Sequence, residues 1–138
     1  MHTHEIHTLF AGGMAFEANV NDHIIRMDAG PDDGGHNSGA SPKRLMLAAL
    51  AGCTGIDIVS ILDKMKVAFS DLRIDTTADL TDEHPKTYKT VKISYTIRLQ
   101  EEDRPKMERA VKLSEEKYCG VMAMFRAFAA IETEIIYL

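Results

Sequence analysis

Two residues of this 138-residue chain carry a thiol, Cys53 and Cys119. A thiolate can attack an electrophile and become a sulfenic acid, and a second thiol close by can condense with it to a disulfide before over-oxidation occurs. Two cysteines are the minimum for such a cycle. In a reducing compartment they read as free or redox-active thiols rather than as a structural staple. The count alone also leaves buried, inert thiols open. Cys53 sits in Ala51-Gly52-Cys53-Thr54-Gly55 and Cys119 in Glu116-Lys117-Tyr118-Cys119-Gly120-Val121. No local Cys-x-x-Cys motif joins them, so only the fold can pair them.

Other candidate groups read as structure. His2, His4 and His7 have the residue type of a metal site but fit a mobile N-terminal strand with exposed histidines. His23, His36 and His84 are isolated on turns or a loop, and no spacing signature joins Cys53 to His36 as a protease pair. The glycine-rich loop from Gly30 to Gly39 has no lysine and so lacks the Gly-Lys-Ser/Thr ending of a phosphate cradle. Met107, Met122 and Met124 are core filling. A net charge of −5, dispersed rather than in blocks, excludes a basic stripe for nucleic acid.

The elements that must hold the cysteines follow from periodicity. Short strands are predicted at Ile6 to Phe10, Met14 to Val20 and His23 to Met27, with Asn21-Asp22 as a two-residue hairpin turn. The stretch Gly30 to Gly39 reads as a loop or flexible flap. Ser41-Pro42 opens a long helix to about Lys66 that carries Cys53 and is apolar on nearly every face, hence surrounded by protein. Its apolar stretch, Leu45 to Leu62, is about as long as a membrane span, but it contains Thr54, Asp57 and Ser60 and is closely followed by Asp63, Lys64 and Lys66, and a buried helix is the better reading.

Two alternating strands follow. Leu72, Ile74, Ala78 and Leu80 share a face of the first, and Val91, Ile93, Tyr95, Ile97 and Leu99 a face of the second. Asp103 and Pro105 start an amphipathic helix that ends near Cys119-Gly120. The apolar segment Val121 to Ala130 leads to a last strand, Ile131 to Leu138. The order is an α+β layout in one domain, 1–138. An all-round apolar helix is hard to enclose in a chain of this size, so a homodimer in which two copies of the helix pack together is expected. The N-terminus has neither a basic n-region nor an apolar h-region, so a cytoplasmic location is expected, without membrane or nucleic acid as a partner.

Ser41-Pro42-Lys43-Arg44-Leu45, the small-residue helix reaching Ala51-Gly52-Cys53-Thr54, and Glu116-Lys117-Tyr118-Cys119 downstream together resemble the osmotically inducible protein C / organic hydroperoxide resistance (OsmC/Ohr) family. The resemblance covers essentially the whole chain. It implies antiparallel sheets wrapped around a long buried central helix, an intertwined homodimer and a peroxidase site that needs no cofactor. By the same resemblance Cys53 is the peroxidatic thiol and Cys119 the resolving one. The reaction implied is reduction of an organic hydroperoxide in an antioxidant stress response, with a lipoyl-type or small dithiol as reductant.

In the family an arginine from the N-terminal strands activates the thiol, held by a glutamate directly after the motif's proline. Arg26 is the only arginine upstream of Pro42 and is the candidate for that role; Lys43 stands at the glutamate's position. Ten helical residues, about 15 Å, separate Lys43 from Cys53, so only a partner chain's Lys43 could reach the thiol. Asp57, one turn beyond Cys53, opposes thiolate formation. The departure at Lys43 keeps a second function in view, a catalytically weak relative that binds an apolar ligand or senses redox state.

Overall fold

The computed structural model describes residues 1–138, in two compact units, Met1–Met46 and Leu47–Leu138. The first unit is an antiparallel meander of β1 (His7–Phe10), β2 (Phe16–Val20) and β3 (His23–Met27). Asn21 and Asp22 both adopt positive φ, 53° and 65°, which gives the two-residue turn that right-twisted strands accept. That turn sets Val20 opposite His23 and therefore Glu17 opposite Arg26.

The segment after β3 is more ordered than a flexible flap. Asp28 is buried, and its carboxylate accepts hydrogen bonds from the backbone N–H groups of Ala29 (2.7 Å), His36 (3.2 Å) and Ser38 (3.0 Å) and from Ser38 Oγ (2.6 Å). These four donors, that of Ser38 Oγ foremost, hold its pKa down at about 2. A bridge between Met27 and Ala40 closes the loop. Gly35 and Gly39 lie so close to the backbone of Ala29 and Arg26 that a side chain at either would collide with it. The absence of apolar periodicity hid this order, because it is built from hydrogen bonds.

Helix α1 (Pro42–Lys64) runs from the end of the first unit into the second. It ends where Lys66 turns left-handed (φ 58°), with Lys66 N–H donating to Asp63 O and Val67 N–H to Leu62 O, a Schellman closure. Strands β4 (Phe69–Leu80) and β5 (Tyr88–Leu99) pair antiparallel. The alternation holds: Val91, Ile93, Tyr95 and Ile97 are fully buried and Lys92 and Arg98 face solvent.

Strand β6 (Ala130–Tyr137) pairs with β5 in parallel, so the second sheet, ordered β4-β5-β6, is mixed rather than antiparallel throughout. The cause lies in the connection. A parallel partner needs a crossover of a dozen or more residues, and the chain from Glu101 to Ala129 supplies it through α2 (Arg104–Leu113), a π-turn (Ser114–Tyr118) and α3 (Gly120–Arg126). The predicted amphipathic helix ends at Cys119 as expected, its last turn widened into the π-turn from Ser114, and the apolar segment after it is itself helical.

Leu50, Thr54, Ile58 and Leu62, four apart, form the buried stripe of α1, and the three apolar ones join Val91, Ile93, Tyr95, Ile97, Met107 and Met122 in the core of the second unit. In the single chain one face of α1 stays open. Ile56 is 74% exposed, and Met46 and Val59 are also open to solvent. Gly52 has no atom within 4 Å of where a Cβ would stand. Beside this face lies an apolar trough of about 870 Å³ whose walls include Ile56, Val59, Phe69, Leu72 and Ile74.

Candidate functional site

Cys53 and Asp57 are four residues apart on α1 and so share a face. Between them Thr54 points inward, its Oγ1 donating to Leu50 O (3.1 Å) and Ala51 O (3.2 Å), which spares a buried hydroxyl an unpaired state. Cys119 arrives from the other side. After the π-turn the chain becomes extended at Cys119 (φ −79°, ψ 102°) and enters α3 at Gly120. Cys119 N–H donates to Ser114 O (2.8 Å), and its Sγ caps α3 by accepting from Met122 N–H (3.3 Å).

The two sulfurs and a carboxylate oxygen of Asp57 all lie within 4.8 Å of one another. Both cysteines are free thiols. The fold thus brings together the two thiols that the sequence singled out. They are not equivalent: Cys53 is half-buried, whereas Cys119 is 3% exposed. Burial pushes the Cys119 thiol up to about 12, aided by its hydrogen bond with Cys53 and by the Asp57 charge. Cys119 therefore holds its proton at neutral pH. An open cleft of about 480 Å³, with Asp57, Lys64, Leu113 and Tyr118 in its walls, reaches the carboxylate from solvent.

The Cys119 segment is fastened by two residues that sequence reasoning missed. Ser114 Oγ donates to Asp57 Oδ2 (3.0 Å), tying the start of the π-turn to α1. Glu115 is 7% exposed, and its carboxylate accepts from Tyr95 Oη (2.8 Å), Thr133 Oγ1 (2.7 Å) and Arg126 Nη2 (3.4 Å). Burial, then the Glu115 charge, drives the Tyr95 phenol far above its ordinary pKa, so it remains a donor. A buried carboxylate is tolerated only when paired and hydrogen-bonded, and Glu115 meets both conditions from β5, β6 and α3. The available signal was a charged pair, Glu115-Glu116, inside an otherwise amphipathic helix.

Arg26 belongs to the first unit. Its Nη1 pairs with Glu17 Oε2 across the β2–β3 ladder (3.2 Å), and its Nε donates to Ser38 Oγ (3.0 Å). Ser38 in turn donates to Asp28, so the guanidinium sits in a chain Glu17–Arg26–Ser38–Asp28. Lys43 is exposed in the first turn of α1.

Comparison with known proteins places this geometry in a family. The profile described as OsmC-like protein matches residues 35–134, which contain both cysteines. Protein YhfA of Escherichia coli K12 is 32% identical over 102 residues, covering 74% of this chain and 73% of that protein. A hypothetical protein from Aquifex aeolicus VF5 superposes with a TM-score of 0.81 at 27% identity, over 100% of this chain and 99% of the other. The organic hydroperoxide resistance protein OhrB of Bacillus subtilis superposes with a TM-score of 0.63 at 18% identity, over 97% of this chain and 98% of its own, a likeness of fold. With both cysteines inside the matched region and the α+β architecture shared throughout, the chain belongs to the family of OsmC-like proteins.

Proposed function

We propose that this protein is a thiol-dependent peroxidase for organic hydroperoxides, with Cys53 as the attacking thiol and Cys119 as the resolving one. The observation that carries this reading is the approach of the two sulfurs to within 4.8 Å, with Cys53 the more open of the two and Cys119 sheltered by burial. The Cys53 thiolate attacks the distal peroxide oxygen; the O–O bond breaks, and the departing alkoxide takes a proton to leave as the alcohol. Cys53 is then a sulfenic acid. Cys119 condenses with it, releasing water and forming the disulfide. A dithiol of lipoyl or small-molecule type returns both thiols. A fatty or aromatic hydroperoxide suits the apolar surroundings of α1 better than hydrogen peroxide.

Three further parts belong to the same reading. Arg26, held by Glu17 and Ser38, is the candidate that the family resemblance names for the positive charge on the attacking thiol. The working form is a homodimer of one OsmC-like domain, 1–138, whose copies cover the bare faces of α1, and it acts in the cytoplasm. Gly52→Leu tests the assembly cleanly: the position is open in the single chain, so the variant should fold but fail to dimerise. A wild-type protein that sediments as a 15.3 kDa monomer at micromolar concentration would remove the dimer from the reading.

The activity is tested by consumption of cumene hydroperoxide in the presence of dihydrolipoamide, with hydrogen peroxide as comparison. Wild type should prefer the organic peroxide, Cys53→Ser should be inactive, and Cys119→Ser should react once and stall. Reaction no faster than that of free cysteine would replace the enzyme by a ligand-binding or redox-sensing relative.

A further inference from the structure

Asp57 has no part in the thiol cycle as written, yet its carboxylate shares one small space with both sulfurs. We propose that Cys53, Asp57 and Cys119 form a binding site for one thiophilic divalent cation of the zinc or cadmium type. Two thiolates and one carboxylate are a donor set that suits zinc, with a fourth position left for water.

The geometry requires little movement. In a tetrahedral zinc site with bonds near 2.3 Å to sulfur and 2.0–2.2 Å to oxygen, ligand atoms stand about 3.5–3.8 Å apart. The three atoms here are within 4.8 Å, so the site closes by about 1 Å. Cys53 and Asp57 present their atoms from one face of a rigid helix, and Cys119 meets them from the start of α3. The support around the ligands exists as well: Ser114 Oγ orients Asp57 at 3.0 Å, and Met122 N–H orients the Cys119 sulfur at 3.3 Å. The cleft beside Asp57 and Tyr118 provides an entry path.

Binding balances as one dication entering while the thiols give up the protons they carry, that of Cys119 among them, which leaves two thiolates, one carboxylate and the ion at net charge −1. No oxidation is involved, so a chain that binds the ion stays reduced. Metal occupancy and the Cys53–Cys119 disulfide use the same sulfurs and exclude each other. The ion would thus shield the pair from peroxide, whatever the peroxide reaction itself is for.

The test uses the full reduced chain titrated with cadmium, read by the thiolate-to-metal charge-transfer band, and with zinc as competitor. One ion per chain should bind, with release of the Cys119 proton and with a band about twice that of a Cys119→Ala variant, which retains one thiolate. The oxidised chain should give no band. Asp57→Asn should keep the two-thiolate band but bind at least about tenfold more weakly, and Ser114→Ala about 10- to 100-fold more weakly. Zinc at one equivalent should slow alkylation of both thiols. Absence of a band at one equivalent, a band that survives in Cys53→Ser/Cys119→Ala, or undiminished affinity in Asp57→Asn overturns the site. Loss of binding on replacing His2, His4 and His7 by alanine does so too. A protein that reduces hydroperoxide yet shows no band refutes the metal site alone.

Discussion

At pH 8 an iodoacetamide experiment should separate the two thiols by a wide margin. An ordinary cysteine with a pKa near 8.5 is about one quarter thiolate there, whereas a thiol at about 12 is ionised in about one molecule in ten thousand. The ratio is about 2,000. A more basic thiolate is intrinsically more nucleophilic, and a Brønsted slope of about 0.4–0.5 over this interval returns about 30- to 50-fold. Cys119 should therefore be labelled about 50-fold more slowly than a free cysteine on ionisation alone, before its near-complete burial slows it further.

The assay is timed alkylation of the reduced chain followed by peptide mass spectrometry. The same chain in denaturant serves as the reference in which both sites react alike. The Cys119 rate should climb about tenfold per pH unit well beyond pH 9, as expected of a group titrating near 12. Stability has the matching sign. The folded chain disfavours the Cys119 thiolate, so stability is unaffected below the ordinary thiol pKa and falls as the pH rises from there towards 12. Labelling of Cys119 within about fivefold of the denatured reference at pH 8 would refute the assignment of Cys119 as a protonated, sheltered thiol.

Glu115→Gln leaves buried donors from Tyr95, Thr133 and Arg126 facing one oxygen and an unwanted amide; the cost should be about 2–3 kcal/mol. For a chain of this size that lowers Tm by about 10 °C, which calorimetry would detect, and disulfide formation should slow as the π-turn loosens. Asp28, with its pKa depressed to about 2, should stabilise the 29–40 loop fully above about pH 4 and lose that contribution as the pH falls through about 2. Protection of the His36 and Ser38 amides, measured as exchange relative to the unstructured rate at the same pH, should therefore be lost only in strong acid in the wild type, and at all pH values in Asp28→Asn.

Much of this arrangement was legible in the sequence because it rests on local rules. Alternation in Val91-Ile93-Tyr95-Ile97 forecast the buried face of β5, and Asn21-Asp22 forecast the hairpin turn. The same turn fixes the partner of the arginine, because placing Val20 opposite His23 places Glu17 opposite Arg26. What stayed hidden depends on contacts between distant segments. Neither the parallel pairing of β5 with β6 nor the anchoring of Glu115 by Tyr95 and Thr133 leaves a periodic trace. The widening of the second amphipathic helix into a π-turn was obscured because helical spacing continues almost unchanged through Ser114. Asp57 was visible one turn after Cys53, but its place beside Cys119 needed the crossover, which alone returns that cysteine to α1.

When the reduced protein meets one equivalent of cumene hydroperoxide, peptide mapping of the product under non-reducing conditions measures directly which sulfurs supply the electrons. A disulfide joining Cys53 to Cys119 within one chain, with dimedone-reactive sulfenic acid confined to Cys53 in the Cys119→Ser variant, is the predicted result. Two intact thiols, a crosslink between chains, or sulfenic acid on Cys119 in the Cys53→Ser variant would contradict it.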